Sequence, residues 1–447
     1  MSQPVTPQQQ RDLRSITADG VFFSAMVGLG ETYVPAFALA VGLGAVIAGL
    51  VSTVPMLIGA FLQLVTPLAV RRLRSYRRWV VLCACLQALS LLPLVVGASG
   101  GGIGLGWIAA ATVAYWAFGM ATGPAWNAWV TSLVSVDVRA RFFARRSRLS
   151  HIALFATLSA GGLALEWGRR RDAELALFAA LFALALLARL VSARFLWRQS
   201  EAPGLADAHR ALAPREIVSA IRSAHSGRVL LYLVCMQAVV HVAAPYFTPY
   251  MLGPLALSYV GFMALTGAAF LARVAVLPLL GRLAHARGTR VVLGCGALGI
   301  VPLPLLWLVS HDFTYLLILQ LWSGAAWAAL EFATMLSFFE GIDERDRASV
   351  LSAFNVANAA AVAVGALAGG ALFSWMEGGP EAYALLFALS VAGRIAVLRL
   401  LRGTEVARHV LDLRFRTLAV RPSAGAVERP ILATVGGDVE VSSADEG

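Results

Sequence analysis

From Trp197 to Arg228 the chain is polar and proline-bearing, with Arg198, Glu201, Asp207, Arg210, Arg215, Glu216, Arg222 and Arg228 standing among Pro203, Gly204 and Pro214. Such a segment cannot lie in hydrocarbon and belongs in water. It separates two blocks of nearly continuous apolar sequence that overlay at a constant offset of 211 positions. Pro67 and Leu68 fall on Pro278 and Leu279, Arg71 on Arg282, and Val80, Val81 and Leu82 on Val291, Val292 and Leu293, without a gap. The chain therefore reads as two copies of one unit joined by a wet connector.

The unit is helical and membrane-spanning. With 59% apolar and 14% charged residues over 447 positions, the sequence is too hydrophobic for a soluble multidomain protein. Runs of about 20 apolar residues, enough to cross a core roughly 30 Å thick, read as Thr17 to Leu39, Ala45 to Val70, Trp79 to Ala98, Leu105 to Val134, Leu149 to Trp167 and Glu174 to Trp197. After the connector come Val229 to Leu252, Leu257 to Leu280, Val291 to Val309, Phe313 to Phe339, Val350 to Phe373 and Ala382 to Leu401. The expected organisation is a cytoplasmic N-terminus over 1–16, a six-helix bundle over 17–197, a cytoplasmic linker over 198–228, a second bundle over 229–401, and a disordered cytoplasmic tail over 402–447.

The net charge of +11 would suggest nucleic acid in a soluble chain. Here the arginines cluster in short loops between apolar runs, which signals topology. Arg71, Arg72, Arg74, Arg77 and Arg78, then Arg139, Arg141, Arg145, Arg146 and Arg148, then the connector, then Arg282, Arg287 and Arg290, then Arg345 and Arg347 all fall on one side, the cytoplasm by the positive-inside rule. Arg169, Arg170 and Arg171 are the exception on the other side, partly neutralised by Glu166, Asp172 and Glu174. No lysine is present, so every fixed cation is a guanidinium and no Schiff base can form. Cys83, Cys85, Cys235 and Cys295 lie in apolar runs and imply reduced structural thiols without a metal.

The stretch Gly281-Arg282-Leu283-Ala284-His285-Ala286-Arg287-Gly288-Thr289-Arg290 resembles the loop after the second helix of each half in major facilitator superfamily transporters, whose pattern is G-x-L-A-D-R-x-G-R-R/K. His285 stands in place of the pattern's Asp and Ala286 in place of its Arg, while Val70 to Trp79 keeps only the basic character. Asp137 to Arg146, with its partner Asp343 to Ala348, is similar to the family's acidic and basic connection after the fourth and tenth helices. The resemblance implies an all-α fold of twelve transmembrane helices in two pseudo-symmetric six-helix bundles, and alternating access by rocking of the two. It also implies cytoplasmic gating roles for Arg71, Arg78, Asp137, Arg141, Gly281, His285, Gly288, Arg290, Glu344 and Arg347.

A charged side chain inside a span costs at least roughly 2.5 to 3.5 kcal/mol and calls for a partner or a wet cavity. Glu31, in Gly30-Glu31-Thr32-Tyr33-Val34-Pro35, is about 14 residues into the first run, or roughly 21 Å at the helical rise. His241 lies at comparable depth in the seventh run. The resemblance puts helices one, four, seven and ten on the pathway, so Glu31 is the expected proton-coupling or substrate-orienting acid, with His241 assisting. A structural hydrogen bond is the alternative for each. Arg273 and Glu331 stand at matching depth in the eighth and tenth runs and are expected either to hold the bundle or to take part in gating. Tyr33, Gln63, Trp126, Asn127, His151, Gln237, Tyr246, Trp327, Asn355 and Asn358 are the remaining expected cavity residues, whereas Arg189 and Arg394 are expected to snorkel outside it. Gly161-Gly162 and Gly369-Gly370 occupy equivalent places in helices five and eleven, where small residues permit close contact.

These features lead to a secondary active transporter of a small solute, proton-coupled, of import or efflux type, in a cytoplasmic (inner) membrane and acting as a monomer. The partners are then the solute, H+ and the lipid bilayer, without nucleic acid or cofactor. The rival reading is a non-transporting membrane sensor or assembly protein that keeps the fold. No catalytic constellation is evident, since the histidines and acids are dispersed.

Overall fold

The computed structural model describes residues 6–51, 53–100, 103–134, 136–201, 227–341 and 344–401. The described residues form helices and turns with no strand. Most of the expected linker, 202–226, and the expected tail, 402–447, lie outside them. Among the described residues, twelve helical spans are long and apolar enough to cross a membrane. In the first half they are span 1 (Pro7–Ala40), span 2 (Gly44–Gln63), span 3 (Tyr76–Ser99), span 4 (Leu105–Asn127), span 5 (Arg145–Arg169) and span 6 (Glu174–Trp197). In the second half they are span 7 (Arg228–Leu252), span 8 (Tyr259–Ala284), span 9 (Thr289–Leu306), span 10 (Phe313–Thr334), span 11 (Phe354–Trp375) and span 12 (Pro380–Leu401). An even count returns the chain to the end where it began, and the opposite end is called distal below.

The first helix begins at Pro7, well before the expected Thr17, with the Thr6 hydroxyl accepting from the Gln9 amide at 3.2 Å. Hydrophobicity marks only the part of a helix that sits in lipid, and the polar Gln8 to Gln10 turn extends it into water. Several spans break near their distal ends. Span 1 passes from helix Pro7–Leu29 through a tight turn Glu31–Tyr33 into Val34–Ala40. Span 7 repeats this, with Gly227–His241, then Ala244–Tyr246, then Phe247–Leu252. Span 9 breaks between Ile300 and Leu303, at Pro302.

Span 1 packs on spans 5 and 6, span 2 on span 4, and span 3 on spans 4 and 6; in the second half span 7 packs on 11 and 12, and span 10 on 8 and 9. The halves meet along two edges, span 5 against span 8 and span 2 against span 11, and the distal part of span 7 also packs on spans 1 and 2. The repeat is visible in detail at the glycine pairs. The Tyr33 hydroxyl donates to the Leu158 carbonyl at 2.5 Å, and its ring fills the space above Gly161, where an added Cβ would lie 2.6 Å from Cε2. The Tyr246 hydroxyl donates to the Ala366 carbonyl at 3.0 Å, with its ring above Gly369 and Gly370. One tyrosine thus locks the first helix of each half to the fifth.

Two of the positive-φ positions lie at corresponding loops of the two halves. Gly288, at φ 84°, turns the chain between spans 8 and 9, which is why glycine suits that loop. In the first half Arg74, at φ 49°, ends the helix Val54–Leu73 without a glycine. Ser75 then caps span 3, and the Glu201 carboxylate binds the same helix start through the Ser75 hydroxyl at 2.6 Å and the Tyr76 amide at 2.5 Å. An anion at a helix N-terminus meets unpaired N–H groups and the positive end of the dipole. The connector therefore begins folded onto the first half, with Asp12 accepting from the Ser200 amide at 2.8 Å and the Trp129 indole donating to the Ser200 carbonyl at 2.8 Å.

Candidate functional site

A cavity of about 180 Å³ lies between the halves. At roughly 15 Å³ per water it has room for on the order of a dozen waters, or a small organic solute. Its wall draws on both halves: Glu31 and Thr32 of span 1, Thr112, Tyr115 and Trp116 of span 4, Phe155 of span 5, Ala244, Phe247 and Thr248 of span 7, Phe262, Thr266, Phe270 and Arg273 of span 8, Trp307 after span 9, and Gln320, Ser323 and Trp327 of span 10. Spans 4, 8 and 10 each contribute a stripe at three- and four-residue spacing, one face of a helix. The wall is mostly apolar and aromatic with a few fixed polar groups, the usual make-up of a small-molecule site.

Glu31 sits where span 1 breaks, and its Oε2 accepts from the Tyr115 hydroxyl at 2.8 Å, tying span 1 to span 4. Its counterpart at the break of span 7 is Ala244, which also lines the cavity. Arg273 reaches the cavity and its Nη1 donates to Glu331 Oε1 at 2.6 Å, joining spans 8 and 10. Arg394 is a third charge on the wall. It does not snorkel: it is buried, its Nη1 donating to the Ile300 carbonyl at 2.5 Å and its Nε to Ser390 Oγ at 3.2 Å. The break of span 9 frees the Ile300 carbonyl from its helix, and the guanidinium takes the place of the missing amide.

Other expected wall residues lie elsewhere. His241 is 0% exposed, its Nδ1 against the Gln237 carbonyl of its own helix at 2.8 Å and its Cβ packed at the Gly365 surface of span 11. It ends the helix before the break of span 7, whereas Glu31 follows the break of span 1, so equal depth does not give equal position. Tyr33 and Tyr246 are fully buried against spans 5 and 11, as described above. Trp126 lies under the Arg146 guanidinium, 4.6 Å from its ring centre, on the near side of the first half. His151 contacts the Phe270 ring at 4.9 Å on the span 5 and span 8 edge, with Nδ1 against the Ser147 carbonyl. Gln63, Asn127, Gln237, Asn355 and Asn358 are buried in the bundles and off the wall. Of the expected set, the wall holds Glu31, Arg273 and Trp327.

Among the expected gating residues, Arg71, Arg78, Gly288 and Arg290 are exposed and Gly281 is buried. The side chains of Asp137, Arg141, His285, Glu344 and Arg347 lie outside the described residues.

One buried charge cluster has no counterpart in the sequence reading. Asp19 Oδ2 lies 3.6 Å from Arg146 Nη2 with both side chains 1% exposed, and Asp19 Oδ1 accepts from Ser192 at 2.7 Å. Ser192 in turn accepts from Arg189 Nη1 at 2.7 Å, while Arg189 Nε donates to Gln87 at 2.9 Å and its guanidinium faces the Phe23 ring. Spans 1, 3, 5 and 6 are thereby tied together. Arg146 reads as a loop residue from its basic neighbours, and Arg189 as a snorkelling one from its place in span 6. Only the spacing of Asp19 to the polar face of span 1 could have signalled the cluster.

No family model matches the chain, and no curated protein matches it in sequence. Solved structures do match it in three dimensions. The nucleoside transporter NupG superposes at a TM-score of 0.67 over 89% of this chain and 100% of its own, with 9% identity. A bacterial homolog of the human lysosomal transporter Spinster, inward-facing and occupied, gives 0.64 over 89% and 96%, with 14% identity. The D-xylose-proton symporter gives 0.64 over 90% and 99%, also with 14% identity. With twelve spans in two halves and these superpositions over nearly the whole membrane region, the chain has the fold of the major facilitator superfamily.

Proposed function

We propose that this protein is a secondary active transporter that moves a small amphipathic solute by alternating access through the cavity between its halves. The observation that carries the reading is Glu31, a carboxylate held by Tyr115 at a helix break on the wall of a cavity lined from both halves. A bundle that needed only stability would fill that space with side chains, since an ionisable group inside a membrane protein is costly. Glu31 acts as the proton-coupling or solute-orienting acid, and the aromatic wall receives the apolar part of the solute. Arg273, held from behind by Glu331, and Arg394 supply the cations of the wall. The fold's solved members named above include a nucleoside transporter and a proton symporter, which supports transport here. By the positive-inside rule the termini are cytoplasmic and the distal end external, in a cytoplasmic membrane.

The test is flux in proteoliposomes. Solutes are first screened by thermal shift, and uptake of the stabilising one is measured with and without an imposed pH gradient. The expected result is flux that follows the gradient in the wild type and loses that response in Glu31→Gln. Flux absent from every folded preparation would favour a sensor or assembly protein, and unchanged gradient dependence in Glu31→Gln would remove the coupling role.

A further inference from the structure

The arginine cluster on the distal side runs against the charge rule that the other loops obey, and its surroundings give it a use. Span 8 of the second half begins at Tyr259, which is 5% exposed because it is inserted into the corner between spans 5 and 6 of the first half. Its amide donates to Glu166 Oε2 at 3.2 Å and its hydroxyl donates to Glu174. The Arg169 guanidinium lies 5.7 Å from the centre of its ring, and the Phe178 ring meets it edge-on at 6.1 Å. Glu166 is itself gripped by Arg169 Nη2 at 3.0 Å and Arg170 Nε at 3.2 Å.

We propose that Glu166, Arg169 and Glu174 form a socket for Tyr259 and latch the distal ends of the two halves over the cavity. The proposal rests on the alternating-access reading for its use in transport, but the latch itself is a property of the molecule at rest. Hydrogen bonds to charged groups are the stronger kind, and cation and aromatic contacts strengthen away from water. Among the described residues, the other edge shows no charged contact between the halves. There Gly370 of span 11 meets Val46 and Leu50 of span 2 and the Tyr246 hydroxyl, a close contact that is apolar on the span 2 side. The repeat therefore supplies two seams and the sequence adds a polar fastening to one. Arg169 and Arg170 stay on the distal side because Glu166 needs them, whereas Arg171 stacks on Trp167 and takes no part.

The experiment is a distance measurement that needs no substrate. Spin labels are placed at Arg171→Cys and Pro254→Cys, on the two halves beside the latch, after Cys83, Cys85, Cys235 and Cys295 are replaced by serine. Pulsed dipolar spectroscopy in nanodiscs then compares the parent with Glu166→Ala, Tyr259→Phe and Tyr259→Ala. Loss of charge-assisted bonds should raise the ratio of long to short distances by about tenfold in Glu166→Ala and Tyr259→Ala, and by less in Tyr259→Phe. Replacing Ser374, exposed near the distal end of span 11, by alanine should leave the distribution as it was. Variants that keep the parent's melting temperature and also its distance distribution would overturn the latch. A variant that unfolds is replaced by Glu174→Ala, which removes only the acceptor of the Tyr259 hydroxyl. Broadened distances with no flux in any preparation would keep the latch and reject transport.

Discussion

At the scale of single residues, the ionisable groups in the bundles divide by what surrounds them. Glu31 and Arg273 face a cavity, whereas Asp19, Arg146 and Arg189 are sealed inside the first half. Breaking a buried ion pair by removing one partner costs roughly 3 to 5 kcal/mol, because the other charge is left in low dielectric. Arg273→Ala should therefore lower the melting temperature in detergent, and adding Glu331→Ala should restore most of the loss. Equal melting of the single and double variants would show that the pair does not hold spans 8 and 10. Asp19→Ala should cost more than Arg273→Ala. It takes the carboxylate from the Arg146 guanidinium in a site where Asp19 and Arg146 are 1% exposed, against 10% and 23% for Arg273 and Glu331. The same thermal scan checks it: equal or smaller loss in Asp19→Ala would contradict the ranking.

Among elements, glycine contacts set how closely the spans approach, and they are not equivalent. An added Cβ at Gly324 of span 10 would lie 2.0 Å from the Ala269 carbonyl oxygen of span 8, and backbone cannot move aside. At Gly161 the obstacle is the Tyr33 ring, a side chain that a substitution can remove. Overpacking costs typically about 1 to 3 kcal/mol. Gly324→Ala should accordingly fall at the upper end and Gly161→Ala at the lower, with Tyr33→Leu rescuing only the latter. Melting curves of the two glycine variants, each with and without Tyr33→Leu, decide this, and rescue of Gly324→Ala by Tyr33→Leu would refute the distinction. The helix breaks follow the same local logic. Gly30 and Pro35 in span 1, and Pro302 in span 9, interrupt the ladder and leave carbonyls and amides for side chains such as Arg394.

For the whole molecule, alternation requires the distal seam to part. Gly162 and Met263 face each other across it, a Cβ at the glycine lying 2.9 Å from that of the methionine. Gly162→Cys with Met263→Cys, on a background otherwise free of cysteine, should oxidise readily, since disulfides need a Cβ separation of about 3.5 to 4.5 Å and little movement is required. Flux should stop on oxidation and return on reduction; flux that persists through the bond would exclude parting at this seam. The architecture was legible because length and hydropathy specify spans and the 211-position offset through spans 2 and 3 signals duplication, although the offset is not constant: the structure pairs Tyr33 with Tyr246, 213 positions on, and Gly161 with Gly369, 208 positions on, because the turns between spans differ in length. The cavity was less so, because polarity tells that a residue such as His241 or Trp126 needs a partner but not which way it points. The stripe Phe262, Thr266, Phe270 and Arg273 on span 8 was present in the sequence, yet a helical stripe looks alike whether it faces a cavity or a neighbour. Two arginines around one aspartate in the first half have a further consequence. A guanidinium keeps its proton across the physiological range, so acidification leaves those two charges unchanged while a membrane potential still pulls on them. Any part of the working cycle that displaces spans 5 and 6 along the field should then respond to voltage even where it ignores acidity.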